Sequence, residues 1–220
     1  MGYIVVKCDI NLRNYNYICT PCDRCSPYSK ENYPFNKDLD NSKALVNELK
    51  ALIEELTPFK CKDPVDHRNP DIVVYAPNTS KLICRVEAKM LGSQAFMMAN
   101  HYINLMPKEA LVIDEPKFLH YLECKRNDPI LFTNGREVPI FIVWQWLRPC
   151  PDMFNTTVFQ EISALEPIYI STGGRKFQRR TADTDFVNGQ RRGVIDKVHF
   201  SMKECLPIEQ LIPWILTLNS

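Results

Sequence analysis

No stretch of this 220-residue chain approaches the roughly 18 consecutive apolar residues that a membrane span requires. The segment from Met1 to Ile10 is broken by Lys7 and Asp9, unlike a secretory leader. Both absences point to a cytoplasmic protein with no membrane partner. Internal repeats and low-complexity runs are also missing, which excludes solenoids and biased linkers. Net charge is nearly absent, at +1. The nine cysteines do not divide into pairs, so reduced thiols or a metal site are expected and a disulfide framework is not. In such a compartment the triplets Asn78-Thr79-Ser80 and Asn155-Thr156-Thr157 carry no glycan.

What is present is 45% hydrophobic residues on a chain long enough for a sizeable core, which suits one domain with elaborations. The balanced charge conceals an asymmetry. Between Arg175 and Lys203 eight Lys or Arg face Asp183, Asp185 and Asp196, leaving that segment at +5 and the remainder at −4. Arg175, Lys176, Arg179, Arg180, Arg191 and Arg192 follow Gly173-Gly174, and they read either as phosphate-binding heads on a flexible loop or as a solvated charged loop.

The stretch from Asn69 to Met90 organises the rest. Ile72-Val73-Val74-Tyr75 is a short β-branched and aromatic run, Pro77-Asn78-Thr79-Ser80 is turn chemistry, and Leu82 to Met90 is the returning strand of a hairpin. Strand alternation puts Leu82, Cys84, Val86, Ala88 and Met90 on one face, and Ile83, Arg85, Glu87 and Lys89 on the other. The first face is expected to be buried and the second left open for work. Glu87 and Lys89 start about 6.6 Å apart on it, and Asp71 on the partner strand can join them. Two carboxylates and an amine suit a hard divalent cation with a phosphate.

Pro70-Asp71, fifteen intervening residues and Glu87-Ala88-Lys89 resemble the signature of the PD-(D/E)XK nuclease superfamily. The resemblance spans about residues 40 to 146, where the expected order is helix, hairpin, helix, strand. It implies an α/β, restriction-endonuclease-like core with a mixed central sheet flanked by helices, and extensions at both ends. The corresponding division is a Cys-containing extension over 1–36 and a nuclease-like domain with a basic C-terminal elaboration over 37–220. The implied activity is Mg²⁺- or Mn²⁺-dependent hydrolysis of DNA phosphodiesters, with Asp71 and Glu87 as metal ligands and Lys89 orienting water and stabilising charge. Members of the superfamily often add a glutamate from the preceding helix, for which Glu48 is the candidate, and some use a glutamine after the E-x-K strand, here Gln94. A homodimer would let two such sites cut two strands. The competing expectation is a non-catalytic nucleic-acid-binding or assembly protein on the same fold.

Three further expectations come from the residues. Leu45, Leu49, Leu52, Ile53 and Leu56 give a helix over 43–56, capped by Asp40, Asn41 or Ser42 after a polar loop. Cys8, Cys19, Cys22 and Cys25 could hold a structural Zn²⁺, or could lie in a run of tight turns without metal. Helices are also expected over 93–105, 117–125, 157–165 and 207–218, and strands at 110–113, 138–146, 168–170 and 194–202, with His67 in a loop.

Overall fold

The computed structural model describes residues 7–8, 19–20, 35–79, 81–91, 99–106, 108–132, 135, 137–146, 156–178, 186–187, 190–191 and 196–218. Within them a six-stranded mixed sheet is flanked by helices, which is the expected α/β architecture.

Two short strands, β1 (Lys7–Cys8) and β2 (Cys19–Thr20), pair antiparallel and set Cys8 opposite Cys19. Cys22 and Cys25 lie outside the described residues, as do Gln94, Arg179, Arg180 and Arg192.

Helix α1 runs from Phe35 to Leu56, so the polar segment before Lys43 is helix and not loop. Phe35 and Leu39 stand four residues apart, a helical spacing, and the Asn and Asp residues there cost only tenths of a kcal/mol each in helix propensity. Asp40, Asn41 and Ser42 are therefore interior positions and not caps, and the 36/37 boundary falls in the first turn. Leu45, Leu49 and Ile53 are buried, whereas Leu56 stands half exposed at the end of the stripe.

The hairpin forms as expected, from β4 (Ile72–Tyr75) and β5 (Leu82–Leu91), with β3 (Lys60–Lys62) added on the outside of β4. Its register is not a simple alternation. Val74 pairs with Cys84 and Tyr75 with Leu82, so Ile83 is an extra residue in β5. The bulge exchanges the expected faces of Leu82 and Ile83. Leu82 joins Val73, Val138 and Tyr75, while Ile83 packs with Cys84, Val86 and the α1 residues.

After α2 (Ala99–Tyr102), β6 (Ala110–Asp114) leads into α3 (Glu115–Phe132). The chain returns as β7 (Ile140–Trp146), parallel to β5, and β8 (Thr156–Glu161) pairs antiparallel with β7. The helix expected over 157–165 is thus a strand followed by α4 (Ile162–Thr172), which also absorbs the strand expected at 168–170. Thr156, Thr157 and Val158 are β-branched, and Glu161 caps α4 by accepting a hydrogen bond from the Ser163 N–H. Gly173 ends α4 in the left-handed conformation.

The short strand β9 (Phe177–Gln178) is followed by a small hairpin, β10 (Phe186–Val187) with β11 (Gln190–Arg191). β12 (Asp196–Ser201) joins β6 and β9 in a second sheet, and β13 (Leu206–Pro207) completes the six-stranded sheet ahead of α5 (Leu211–Thr217). The order of that sheet is β13-β8-β7-β5-β4-β3, so β5 is central. One face carries Val86, Ala88, Phe141 and Val143 against α1 and α5. The opposite face carries Leu91, Ile142, Trp144 and Trp146 against α3, α4 and the smaller sheet.

Candidate active site

Asp71 stands one residue ahead of β4, and the pairing of Ile72 with Val86 brings it beside Glu87 and Ala88 on the neighbouring strand. The Ala88 N–H donates to Asp71 Oδ2 at 3.0 Å. Lys89, two residues along β5, shares the face of Glu87, and their side chains meet at 2.6 Å between Lys89 Nζ and Glu87 Oε1. The hairpin therefore brings Asp71, Glu87 and Lys89 together.

The face that carries them is not open, contrary to the sequence expectation. Glu87 is fully buried and Arg85 is 6% exposed, because α3 lies across them. Phe118 and Leu122 anchor α3 in the core. Lys117, Tyr121 and Asp128, at steps of four and seven, meet the ionic side of β5. Lys117 Nζ donates to Glu87 Oε1 at 3.2 Å, and Tyr121 Oη donates to Glu87 Oε2 at 2.5 Å. Farther along, Arg85 grips Asp128 as a two-point fork at 2.6 and 3.0 Å. Lys89 keeps a route to solvent, its side chain being 22% exposed.

These surroundings drive the two carboxylates apart in acidity. Burial, and then the adjacent charge of Glu87, push the Asp71 pKa up to about 6. Burial acts upward on Glu87 too, but the Lys89 and Lys117 ammonium groups and the hydrogen bonds from Lys89 and Tyr121 outweigh it and hold Glu87 below the usual range. For Lys89, burial acts downward and is overcome by Glu87, so the amine stays protonated. Burial and Glu87 raise the Tyr121 pKa, keeping the phenol a donor.

Glu48 does not join this group. It is exposed on α1, which packs against the face of the sheet opposite Glu87, and no three described His, Cys, Asp and Glu side chains are grouped to hold a metal. The sheet itself separates Glu48 from the Glu87 side chain. His67 is an exposed loop residue.

Of the basic segment, Arg175 forks onto Glu204 at 2.7 and 2.9 Å, and Lys176 meets Glu115 at 2.6 Å. Both cations are thus already engaged within the fold. Arg191 lies in β11, and the other three arginines are outside the described residues.

Sequence reading missed Lys117, Tyr121 and the Arg85–Asp128 pair. The available signal was a polar stripe at helical spacing, Lys117, Tyr121 and Asp128, on a helix that had to cover an ionic strand face.

Among solved structures, the chain is similar to the Holliday junction resolvase Hjc of the archaeal hyperthermophile Archaeoglobus fulgidus. The two are 10% identical with a TM-score of 0.42, over 79% of this chain and 96% of the resolvase. It is also similar to a nuclease from a fusselovirus, 9% identical with a TM-score of 0.45, over 83% of this chain and 93% of that one. No protein-family model matches the sequence, and no curated protein is significantly similar to it. The likeness is one of overall chain path.

Proposed function

We propose that this chain is a divalent-metal-dependent deoxyribonuclease that hydrolyses phosphodiester bonds at the Asp71–Glu87–Lys89 group. The observation that carries the reading is the pair of carboxylates on adjacent strands with an ammonium 2.6 Å from one of them. A donor set of oxygens alone suits Mg²⁺ or Mn²⁺. The raised pKa of Asp71 reports the mutual repulsion of the carboxylates as well as burial, and a cation shared between them relieves the repulsion. Asp71 and Glu87 would hold that ion, which when bound polarises a phosphoryl oxygen and acidifies water.

The chain's own side chains supply the rest. Lys89, at the solvent end of the buried face, orients the attacking water and balances negative charge on the phosphate. Tyr121 fixes one oxygen of Glu87, and Lys117 adds a second positive charge beside the other. Arg179, Arg180, Arg191 and Arg192 are the cations we assign to the DNA backbone. Arg175 and Lys176 contribute to it only by leaving Glu204 and Glu115.

One observation favours the non-catalytic alternative, a DNA-binding protein on this fold. Both oxygens of Glu87 already accept hydrogen bonds or ion pairs, three in all. Nicking of supercoiled plasmid with and without Mg²⁺ separates the two readings. Metal-dependent nicking that falls at least about a thousandfold, roughly 4 kcal/mol, in Asp71→Ala and in Glu87→Ala is expected. Metal-independent binding with no nicking in the native chain would favour the alternative.

A further inference from the structure

Beside the nuclease group, on the outer flank of α3, a second set of donor atoms converges. His120 and Cys124 are one helical turn apart on one face of α3, and Asn69 is carried there by the turn that precedes Pro70. Asn69 Oδ1 lies 3.1 Å from His120 Nε2 and 3.4 Å from Cys124 Sγ, and those two atoms are 3.5 Å apart. Around a tetrahedral ion with bonds of about 2.0–2.1 Å to nitrogen or oxygen and about 2.3 Å to sulfur, neighbouring donors sit roughly 3.3–3.6 Å apart. The triangle matches within a few tenths of an ångström.

The same distances also fit a knot of hydrogen bonds, and two other features of the surroundings suit a metal ion. Glu123 Oε2 lies 3.8 Å from His120 Nδ1, too far for a hydrogen bond but on the side of the ring away from Asn69 and Cys124. In the Nδ1–H tautomer Nε2 and the Asn69 oxygen face each other as two acceptors, an arrangement that a cation between them resolves, whereas in the Nε2–H tautomer the ring donates to Asn69 Oδ1. The cluster also opens on a cavity of about 380 Å³ that Asn69, His120 and Cys124 help to line, leaving room for a fourth ligand. The nearby arginines do not leave the site positive, since Asp128 binds Arg85 and Asp66 binds Arg68.

We propose that Asn69, His120 and Cys124 form a binding site for one transition-metal ion of the zinc class, with its fourth position facing the cavity. The acid-and-thiol grouping that defines ordinary zinc sites is incomplete here, and an amide oxygen supplies the third donor. On binding, the Cys124 thiol gives its proton to solvent as the sulfur–metal bond forms, and no electron is transferred. The site uses none of the Asp71–Glu87 oxygens and none of the N-terminal cysteines as ligands, and does not depend on the nuclease reading. Because Asn69 is two residues before Asp71, an ion here also tethers to α3 the segment that carries the nuclease carboxylate.

The test is a titration of the full chain with Co²⁺ alone, read by the thiolate-to-cobalt charge-transfer band, which oxygen ligands cannot produce. We expect a band that saturates at about one equivalent, is lost in Cys124→Ser, and is unchanged in Asp71→Asn. In His120→Ala the half-saturation point should move upward at least about tenfold. That variant keeps a good helix former at a partly exposed position, so it decides the matter even where Cys124→Ser fails to fold. A native chain without a band overturns the proposal. So does a band that neither variant alters, which would assign the thiolate to another of the chain's cysteines.

Discussion

The interface between β5 and α3 has two ionic ends, and they are built to opposite specifications. At one end Arg85 and Asp128 form a buried pair, 7% and 4% exposed, with the guanidinium fork using both carboxylate oxygens. At the other, two carboxylates, two ammonium groups and a phenol crowd together, and one carboxylate, Asp71, is driven towards its neutral form. The first end is closed, with every charge answered inside the protein. The second is uneven, with three contacts on Glu87 and the Ala88 N–H on Asp71, and Lys89 and Lys117 reach solvent from it. One strand thus carries a one-to-one pair at one end and a two-against-two cluster at the other, and it is the crowded cluster to which the proposed chemistry is assigned.

The sharpest test exchanges the two ends. Asp128→Ala removes the carboxylate to which two nitrogens of the buried Arg85 guanidinium donate and should cost about 3–5 kcal/mol in urea unfolding. Glu87→Gln should cost under about 1 kcal/mol, because both lysines can turn to water, yet should remove metal-dependent nicking. Equal destabilisation by the two substitutions would erase the distinction.

A smaller effect concerns acidity. The folded pKa of Asp71, about 6, lies above its ordinary 3.8, so the native state binds the extra proton between those values. Metal-free stability should therefore fall as pH rises from about 4 to 6, by on the order of 2–3 kcal/mol, and level off above. Glu87, held low, acts in the opposite direction and at lower pH, losing its contribution as pH drops below about 4. Asp71→Asn should abolish the upper window only, as read from unfolding free energies at a series of pH values.

Tyr121→Phe removes one hydrogen bond to an ionised, buried carboxylate that retains both lysines. A loss of about 1.5 kcal/mol in the same unfolding assay is expected. The smallest change should come from Arg179→Ala with Arg180→Ala. It should flatten the dependence of log K on log salt by roughly 1.8 for duplex DNA, at about 0.9 per lost phosphate contact. An unchanged slope would remove both arginines from the backbone assignment.

The hairpin and its three motif residues could be read from sequence because everything that positions them is local: a β-branched run, a turn, and a returning strand. What α3 brings could not be read in the same way. Lys117 and Tyr121 reach Glu87 across 30 and 34 residues, and nothing at Glu87 itself announces them. The bulge at Ile83 was hidden because Leu82 and Ile83 are both apolar, so either register buries a hydrophobic side chain. The helix expected from Thr157 gives way to strand as far as Glu161 because a short mixed run fits helix and strand periods alike, and the pairing with β7 decides it. Glu48 was placed by the angle of one helix, which cannot say on which side of a sheet that helix will pack.

The parallel pairing of β5 with β7 also determines when, during folding, the site can exist. β4 and β5 meet across a short turn, whereas Glu87 pairs with Ile142 only after about 55 residues of intervening chain have been drawn in. Closing that longer loop costs about 1 kcal/mol more in chain entropy than closing the contact between Asp71 and Ala88, and α3 lies inside it. The hairpin can therefore bring the carboxylates together early, while the lysine and tyrosine that hold Glu87 ionised arrive with the crossover. Until then the nascent pair carries its charges in water, and its burial coincides with the arrival of the groups that compensate for it.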